Sequence, residues 1–242
     1  MPFARSQISL QLYSLRAMRD AARMFAAAAD AGYQAVELLA THLVAPAVTK
    51  RQLAARALVA PSAHVGLRLL RSRITQVLEA CEEIGVAELI VSSVPRWRRY
   101  GGDQYWRRVG AELVDLAAKI EESTSVRLGY HNHGWEFRSL PRGGTPIERV
   151  FAADMVHGLR WQLDLNWLLR AGQDPYRWLD FGRGRISSVH VGEPNADFAS
   201  LLQGFERIGV NRLVVEIDNP GQPEAMCRHS LEAILAFSPP HV

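Results

Sequence analysis

Eight short β-rich runs alternate with helical stretches from one end of the chain to the other, and no other feature limits the fold as tightly. The first run, Ile8 to Ser14, is followed by an Ala-rich amphipathic stretch from Arg19 to Ala31, which Gly32 closes as a helix C-cap residue does. The pattern predicts three more pairs in the first half: Ala35 to Leu39 with Thr49 to Ala57, Ser62 to Val65 with Ser72 to Ile84, and Glu88 to Val94 with Asp103 to Glu122. In the second half it predicts strands at Arg127 to Asn132, Leu159 to Leu165, Ile186 to Val191 and Arg212 to Ile217. The matching helices are expected at Pro146 to Ala153, Asp174 to Phe181, Phe198 to Ile208 and Pro223 to Phe237.

A helix between two strands returns the chain to the same edge, so the strands run parallel, and eight such units in 242 residues suit a closed (β/α)₈ TIM barrel. The alternative is an open doubly wound sheet, which would carry a glycine-rich phosphate loop after an early strand. Neither G-x-G-x-x-G nor a Walker A sequence occurs. No Pro/Gly/Ser-rich linker or shift in composition divides the chain, so residues 1–242 are expected to form a single domain.

Composition excludes several function classes. Hydrophobic residues at 48% and charged residues at 22% give a chain able to build a large core. The net charge is +3, but the basic residues, all arginine except Lys50 and Lys119, are dispersed, so no nucleic-acid partner is expected. The densest group is Arg96, Arg98 and Arg99 around Trp97. No run approaches the ~20 apolar residues of a membrane span, and no apolar signal core follows Met1 to Gln7. Cys81 and Cys227 are far apart and lack metal-type spacing. A cytoplasmic protein without a membrane partner is expected.

In a barrel the chemistry sits at the C-terminal ends of the strands, and ionisable residues gather there. They are Glu37 after the second strand, His64 on the third, His131, His133 and Glu136 at the fifth, Asp164 and Asn166 at the sixth, His190 on the seventh, and Glu216 and Asp218 at the eighth. Asp164, His190 and Glu216 each lie between apolar neighbours, as in Val189-His190-Val191. Burying three such groups at one end of neighbouring strands calls for a shared partner, and a divalent cation provides it. Carboxylates with one imidazole suit Mn²⁺ or Mg²⁺, with Co²⁺ or Zn²⁺ tolerated. His131 and His133 share a parity, so both can face the interior while Asn132 faces away.

At these residues the chain resembles the sugar phosphate isomerase/epimerase family, the xylose isomerase-like barrels, from Gln11-Leu12-Tyr13-Ser14 to Val214-Val215-Glu216. The specific pieces are Ser62-Ala63-His64-Val65, Gly129-Tyr130-His131-Asn132-His133 with Glu136-Phe137, Leu163-Asp164 with Trp167, Gly172-Gln173-Asp174-Pro175, and His190. The resemblance implies one divalent metal held by Glu136, Asp164, His190 and Glu216, with His131 or His133 as the alternative at the fifth strand. One departure is Gly192-Glu193, where many relatives continue from His-Val into Lys-Asp. Little sequence separates strands two and three, so a second copy of the chain could complete the wall there.

The activity implied is isomerisation or epimerisation of a keto sugar or polyol derivative through an enediolate, with Glu216 and Glu136 as base and acid. Its rivals are a dehydratase or keto-glycoside lyase sharing the enolate step, and an inactive sugar-binding barrel. His64, His131, His133, Trp135, Asn166 and Trp97 are expected to bind substrate, with Trp97, Trp135 and Trp167 as candidate stacking faces. The loops Gly192-Glu193-Pro194-Asn195 and Asp218-Asn219-Pro220-Gly221 each carry an acid and a proline where phosphate-binding barrels place glycine amides, so an unphosphorylated substrate is expected.

Overall fold

The computed structural model describes residues 3–95, 99–154, 158–192, 198–218 and 221–237. Eight parallel strands, each paired with its neighbours in sequence and the last with the first, close into a barrel. They are β1 (Ile8–Gln11), β2 (Ala35–Leu38), β3 (Val59–Gly66), β4 (Glu88–Ser93), β5 (Arg127–His131), β6 (Arg160–Asp164), β7 (Ile186–Val191) and β8 (Leu213–Val215). Between and after them run helices α1 (Ala21–Asp30), α2 (Pro46–Ala54), α3 (Leu67–Ile84), α4 (Asp103–Ser123), α5 (Pro146–Phe151), α6 (Leu165–Arg170), α7 (Pro175–Phe181), α8 (Phe198–Arg207) and α9 (Pro223–Phe237).

Local chemistry sets the boundaries. Asp20 accepts from the amide of Arg23 at the start of α1, and Thr145 and Glu148 form a reciprocal capping box on α5. Proline opens α2, α5 and α7, where its missing N–H costs nothing. The first strand is shorter than the alternation predicts, because the Gln11 side chain accepts from the amide of Tyr13 and starts a 3₁₀ turn over Leu12–Met18. Helix α3 begins at Leu67, and non-helical dihedrals at Arg73 mark where a leading turn joins the longer segment expected from the sequence. Helix α6 was not anticipated; it starts directly after β6, with Asp164 as its N-cap.

The core is the layer between barrel and helices, filled by Phe25, Leu89, Trp106, Trp161, Trp178 and Phe205, each completely buried. Gly110 lets α4 touch α5: a Cβ there would stand 2.3 Å from the carbonyl oxygen of Val150. Alanine is the better helix former, yet a backbone carbonyl cannot yield as a side chain can. Gly110→Ala is therefore expected to lower unfolding stability by roughly 1–3 kcal/mol, read as a reduced urea midpoint with an unchanged slope.

Candidate metal centre and substrate cavity

The inner face of the barrel is polar around one carboxylate. Glu37, on β2, is completely buried and accepts four hydrogen bonds, one from each of four other strands, with the imidazole of His64 as a fifth neighbour. Oε1 takes Gln11 Nε2 and His190 Nε2, both at 2.7 Å, and lies 3.0 Å from His64 Nε2, while Oε2 takes Ser62 Oγ and Gln162 Nε2, both at 2.7 Å. Burial alone would raise its pKa, but the imidazoles of His64 and His190 hold it well below the usual carboxylate range.

Above this carboxylate, towards the strand ends, His131, Asp164, His190 and Glu216 each offer one donor atom, and the four atoms lie within 4.8 Å of one another. His190 Nδ1 is 2.8 Å from Glu216 Oε2 and 4.0 Å from Asp164 Oδ2, and His131 Nε2 is 3.7 Å from that same Asp164 oxygen. The backbone of Asp164 is fixed by Asn132, whose Oδ1 accepts from its N–H and whose Nδ2 donates to its carbonyl. The side chain is fixed by the amide of Trp167, which donates to Oδ1.

The charge on this group is incompletely balanced. Burial pushes the Asp164 carboxyl up to about 7 despite His190 beside it. Burial opposes charge on His190 too, yet Glu37 and Glu216 raise its imidazole to about 10. Burial would likewise raise Glu216, but contact with His190 lowers it. Burial and the neighbouring imidazoles lower His131. A divalent cation fits such a set, since it would take the place of the His190 proton and compensate Asp164.

A cavity of about 480 Å³ opens over the cluster, bordered by His64, His131, His133, Trp135, Trp167 and Glu216 among others. His133 stacks on Trp135 with centroids 4.0 Å apart, and the Arg99 guanidinium lies 4.0 Å over the Trp135 ring. Asp218 also borders the cavity and pairs with Arg170 at 2.6 Å.

Two residues lie elsewhere than the sequence suggests. Glu136 stands outside the donor cluster and does not border the cavity. A 3₁₀ turn over Gly134–Phe137 carries it back, so that it accepts from the Tyr130 hydroxyl and from the His133 amide, each at 2.8 Å. Burial raises its carboxyl to about 7. The fifth-strand position in the donor group is taken by His131. Asn166, in α6, accepts from the amide of Gly192 and ties that turn to β7 rather than facing the cavity. Trp97 lies outside the described residues.

The sequence marks Glu37 as an acid at a strand end without a role, and Gln11, Ser62 and Gln162 carry no ionisable signal. Parity is the available clue: Gln162 sits two residues before Asp164 and Ser62 two before His64, so each shares a face with a donor one layer higher.

This fold and site define a parallel (β/α)₈ barrel with a candidate divalent-metal centre at the C-terminal mouth. Residues 25–236 match the model of the xylose isomerase-like TIM barrel family, and the chain belongs to that family. It is similar to a sugar phosphate isomerase/epimerase from Parabacteroides distasonis, at 19% identity over 98% of this chain and 96% of that one, with a TM-score of 0.81. It is also similar to 3-keto-D-glucoside 4-epimerase from E. coli, at 15% identity over 95% and 99% of the two chains, with a TM-score of 0.74. A third likeness is to D-allulose 3-epimerase from Methylomonas in complex with D-allulose, at 16% identity over 98% and 99%, with a TM-score of 0.70. None of the curated proteins compared matches the chain. Among the described residues, no helix is long and apolar enough to cross a membrane.

Proposed function

We propose that the chain is a divalent-metal-dependent isomerase or epimerase of an unphosphorylated keto sugar or polyol derivative. The observation that carries this reading is the convergence of His131, Asp164, His190 and Glu216 at the edge of a cavity walled by indoles. Two imidazoles, rather than the one expected, move the preference from Mg²⁺ towards Mn²⁺, Co²⁺ or Zn²⁺. Such a cation would polarise a substrate carbonyl and its neighbouring hydroxyl, acidifying the C–H between them.

The chain's own residues do the rest. Glu216, held by His190 and bordering the cavity, is ionised and takes the proton. Trp167 offers a flat face to the C–H side of a sugar ring, Trp135 being held between His133 and Arg99, and His64 and His133 offer ring nitrogens to its hydroxyls. A proton returned to the opposite face gives the epimer, and one returned to the adjacent carbon gives the isomer. With Glu136 turned away, the carboxylates at the cavity among the described residues are Glu216 and the Arg170-paired Asp218. Glu216 acting as the base suits isomerisation or β-elimination as well as epimerisation, which keeps a lyase as the second reading.

The test is incubation of Mn²⁺-loaded protein with keto sugars and keto-inositols in D₂O, with mass spectrometry of substrate and product. Deuterium should enter a carbon next to the carbonyl; no incorporation into any of them by metal-replete protein would overturn the proposal. Free sugars should exchange faster than their phosphate esters, because the acids Glu216 and Asp218 border the cavity and the Arg99 guanidinium that also borders it is held against the Trp135 ring.

Metal binding should tighten with pH. A ligand set with Asp164 near 7 and His190 near 10 must shed about two protons to bind a cation at pH 6 and about one at pH 8. Apparent affinity should rise about tenfold per pH unit between 7 and 10, and more steeply below 7. Isothermal titration in buffers of different ionisation enthalpy counts the protons; an affinity flat from pH 6 to 8 would contradict the ligand assignment.

A further inference from the structure

The polar layer beneath the donor cluster determines which nitrogen each imidazole can present. Gln162 is the key to the logic. Its Nε2 donates to Glu37 Oε2 at 2.7 Å and to Ser188 Oγ at 3.2 Å. Reversing the amide would set its oxygen against the carboxylate, so Glu37 fixes the orientation. Gln162 Oε1 therefore faces His64 Nε2 at 2.6 Å and His131 Nδ1 at 3.1 Å, and an oxygen without a proton requires both nitrogens to donate. His131 thus carries its proton on Nδ1, leaving Nε2, the atom nearer Asp164, free to accept a cation. For His190 the assignment is opposite. Its Nε2 donates to Glu37 Oε1, leaving Nδ1, beside Glu216 and Asp164, as the donor atom.

We propose that Glu37 is the positioning residue of the metal centre, selecting His190 Nδ1 directly and His131 Nε2 through Gln162 as its two imidazole ligand atoms. This rests on the metal-dependent reading above and adds a residue that touches neither cation nor substrate. A carboxylate hydrogen-bonded to the far nitrogen of a ligating histidine fixes its tautomer and orientation and raises its basicity. Here one carboxylate serves two histidines on β5 and β7, and it sits where four hydrogen-bond donors and the His64 ring leave it no competing role.

The test uses the full-length protein, Zn²⁺ as a diamagnetic probe, and two readouts other than activity. In the wild type, ¹⁵N-detected histidine spectra should show Zn²⁺ bound at Nδ1 of His190 and at Nε2 of His131, each opposite nitrogen still protonated. In Glu37→Gln the side chain can accept through only one atom, so Gln162 loses its fixed orientation. Zn²⁺ affinity by chelator competition should fall about 10- to 100-fold, with a second His131 tautomer appearing. Glu37→Asp keeps the charge and should fall between the two. A merely structural role predicts a lower melting temperature without Zn²⁺ but unchanged affinity and tautomers in the folded protein, and that result would overturn the proposal. Zn²⁺ bound through His190 Nε2 in the wild type would overturn it without any variant, which covers the case of a variant that does not fold. Failure of the wild type to bind Zn²⁺, Mn²⁺ or Co²⁺ would remove the metal-dependent reading itself, and is distinguishable from both.

Discussion

Glu216→Gln should retain most of its bound metal and lose proton exchange by a factor on the order of 10² to 10⁴, the usual worth of a positioned general base. The side chain lies just past the end of β8 and is the least buried of the four candidate ligands, with Oε2 on His190 Nδ1 at 2.8 Å. Glutamine keeps an oxygen and the side-chain length, so a coordinating atom remains where the carboxylate stood. What it loses is basicity. Metal content by atomic absorption and deuterium incorporation into a responsive keto sugar separate the two properties. Glu136→Gln is the informative comparison. Its carboxylate accepts from Tyr130 and the His133 amide behind the cavity, so it should change exchange far less than Glu216→Gln does. Exchange at the wild-type rate in a metal-replete Glu216→Gln protein would exclude Glu216 as base and pass the role to His64 or His133.

How far the site could be read from sequence depended on whether the signal was local. The eight β-rich runs and their helices are local, and the closed barrel follows from their number and parallel order. Strand parity at His131-Asn132-His133 is local too, and Asn132 does turn away, to hold the backbone of Asp164 and the indole N–H of Trp161. Glu136 misled because proximity in sequence stood in for proximity in space. It follows two histidines by a few residues, but the 3₁₀ turn reverses the chain and satisfies the carboxylate at home. The role of Glu37, and Gln162 altogether, were out of reach for the opposite reason. Their partners lie on strands far along the chain, 153 residues away for Glu37 and His190, and meet only when the barrel closes. A neutral glutamine carries no charge pattern to draw attention to it. Helix α6 was absorbed into the strand reading, since Leu163-Asp164-Leu165 looks continuous until Asp164 caps the turn that follows.

Asp164→Asn should produce the opposite pair of effects: a large loss of metal and no loss of metal-free stability. The carboxylate is almost fully buried at the centre of the donor group, and among the described residues its side-chain hydrogen bond is at Oδ1, from the amide of Trp167. Oδ2 is left facing the imidazoles of His131 and His190 at 3.7 and 4.0 Å, beyond hydrogen-bond distance. Asparagine removes a negative charge from the ligand set. Because removing a residue that merely supports a ligand costs about 10- to 100-fold in affinity, losing an anionic ligand should cost at least ~100-fold. Activity should fall with metal occupancy and recover in part at high Mn²⁺. The metal-free protein responds differently. Asparagine caps a helix as well as aspartate does, so α6 keeps its first turn. The sign of the charge effect follows from Asp164 being raised, by burial, to about 7. A carboxyl shifted upward on folding contributes stability that is complete below its unfolded value, near 3.9, and is lost as pH rises through 7. At pH 8 the wild-type metal-free protein bears the full cost of a buried, under-compensated carboxylate, and Asp164→Asn does not. Its metal-free melting temperature should therefore equal or exceed the wild type's at pH 8, with the difference shrinking towards pH 5. Thermal melts in chelator at both pH values decide it. A variant less stable than the wild type at pH 8 without metal would mean that Asp164 is balanced by the protein alone, and the electrostatic case for a cation between His131 and His190 would fail with it.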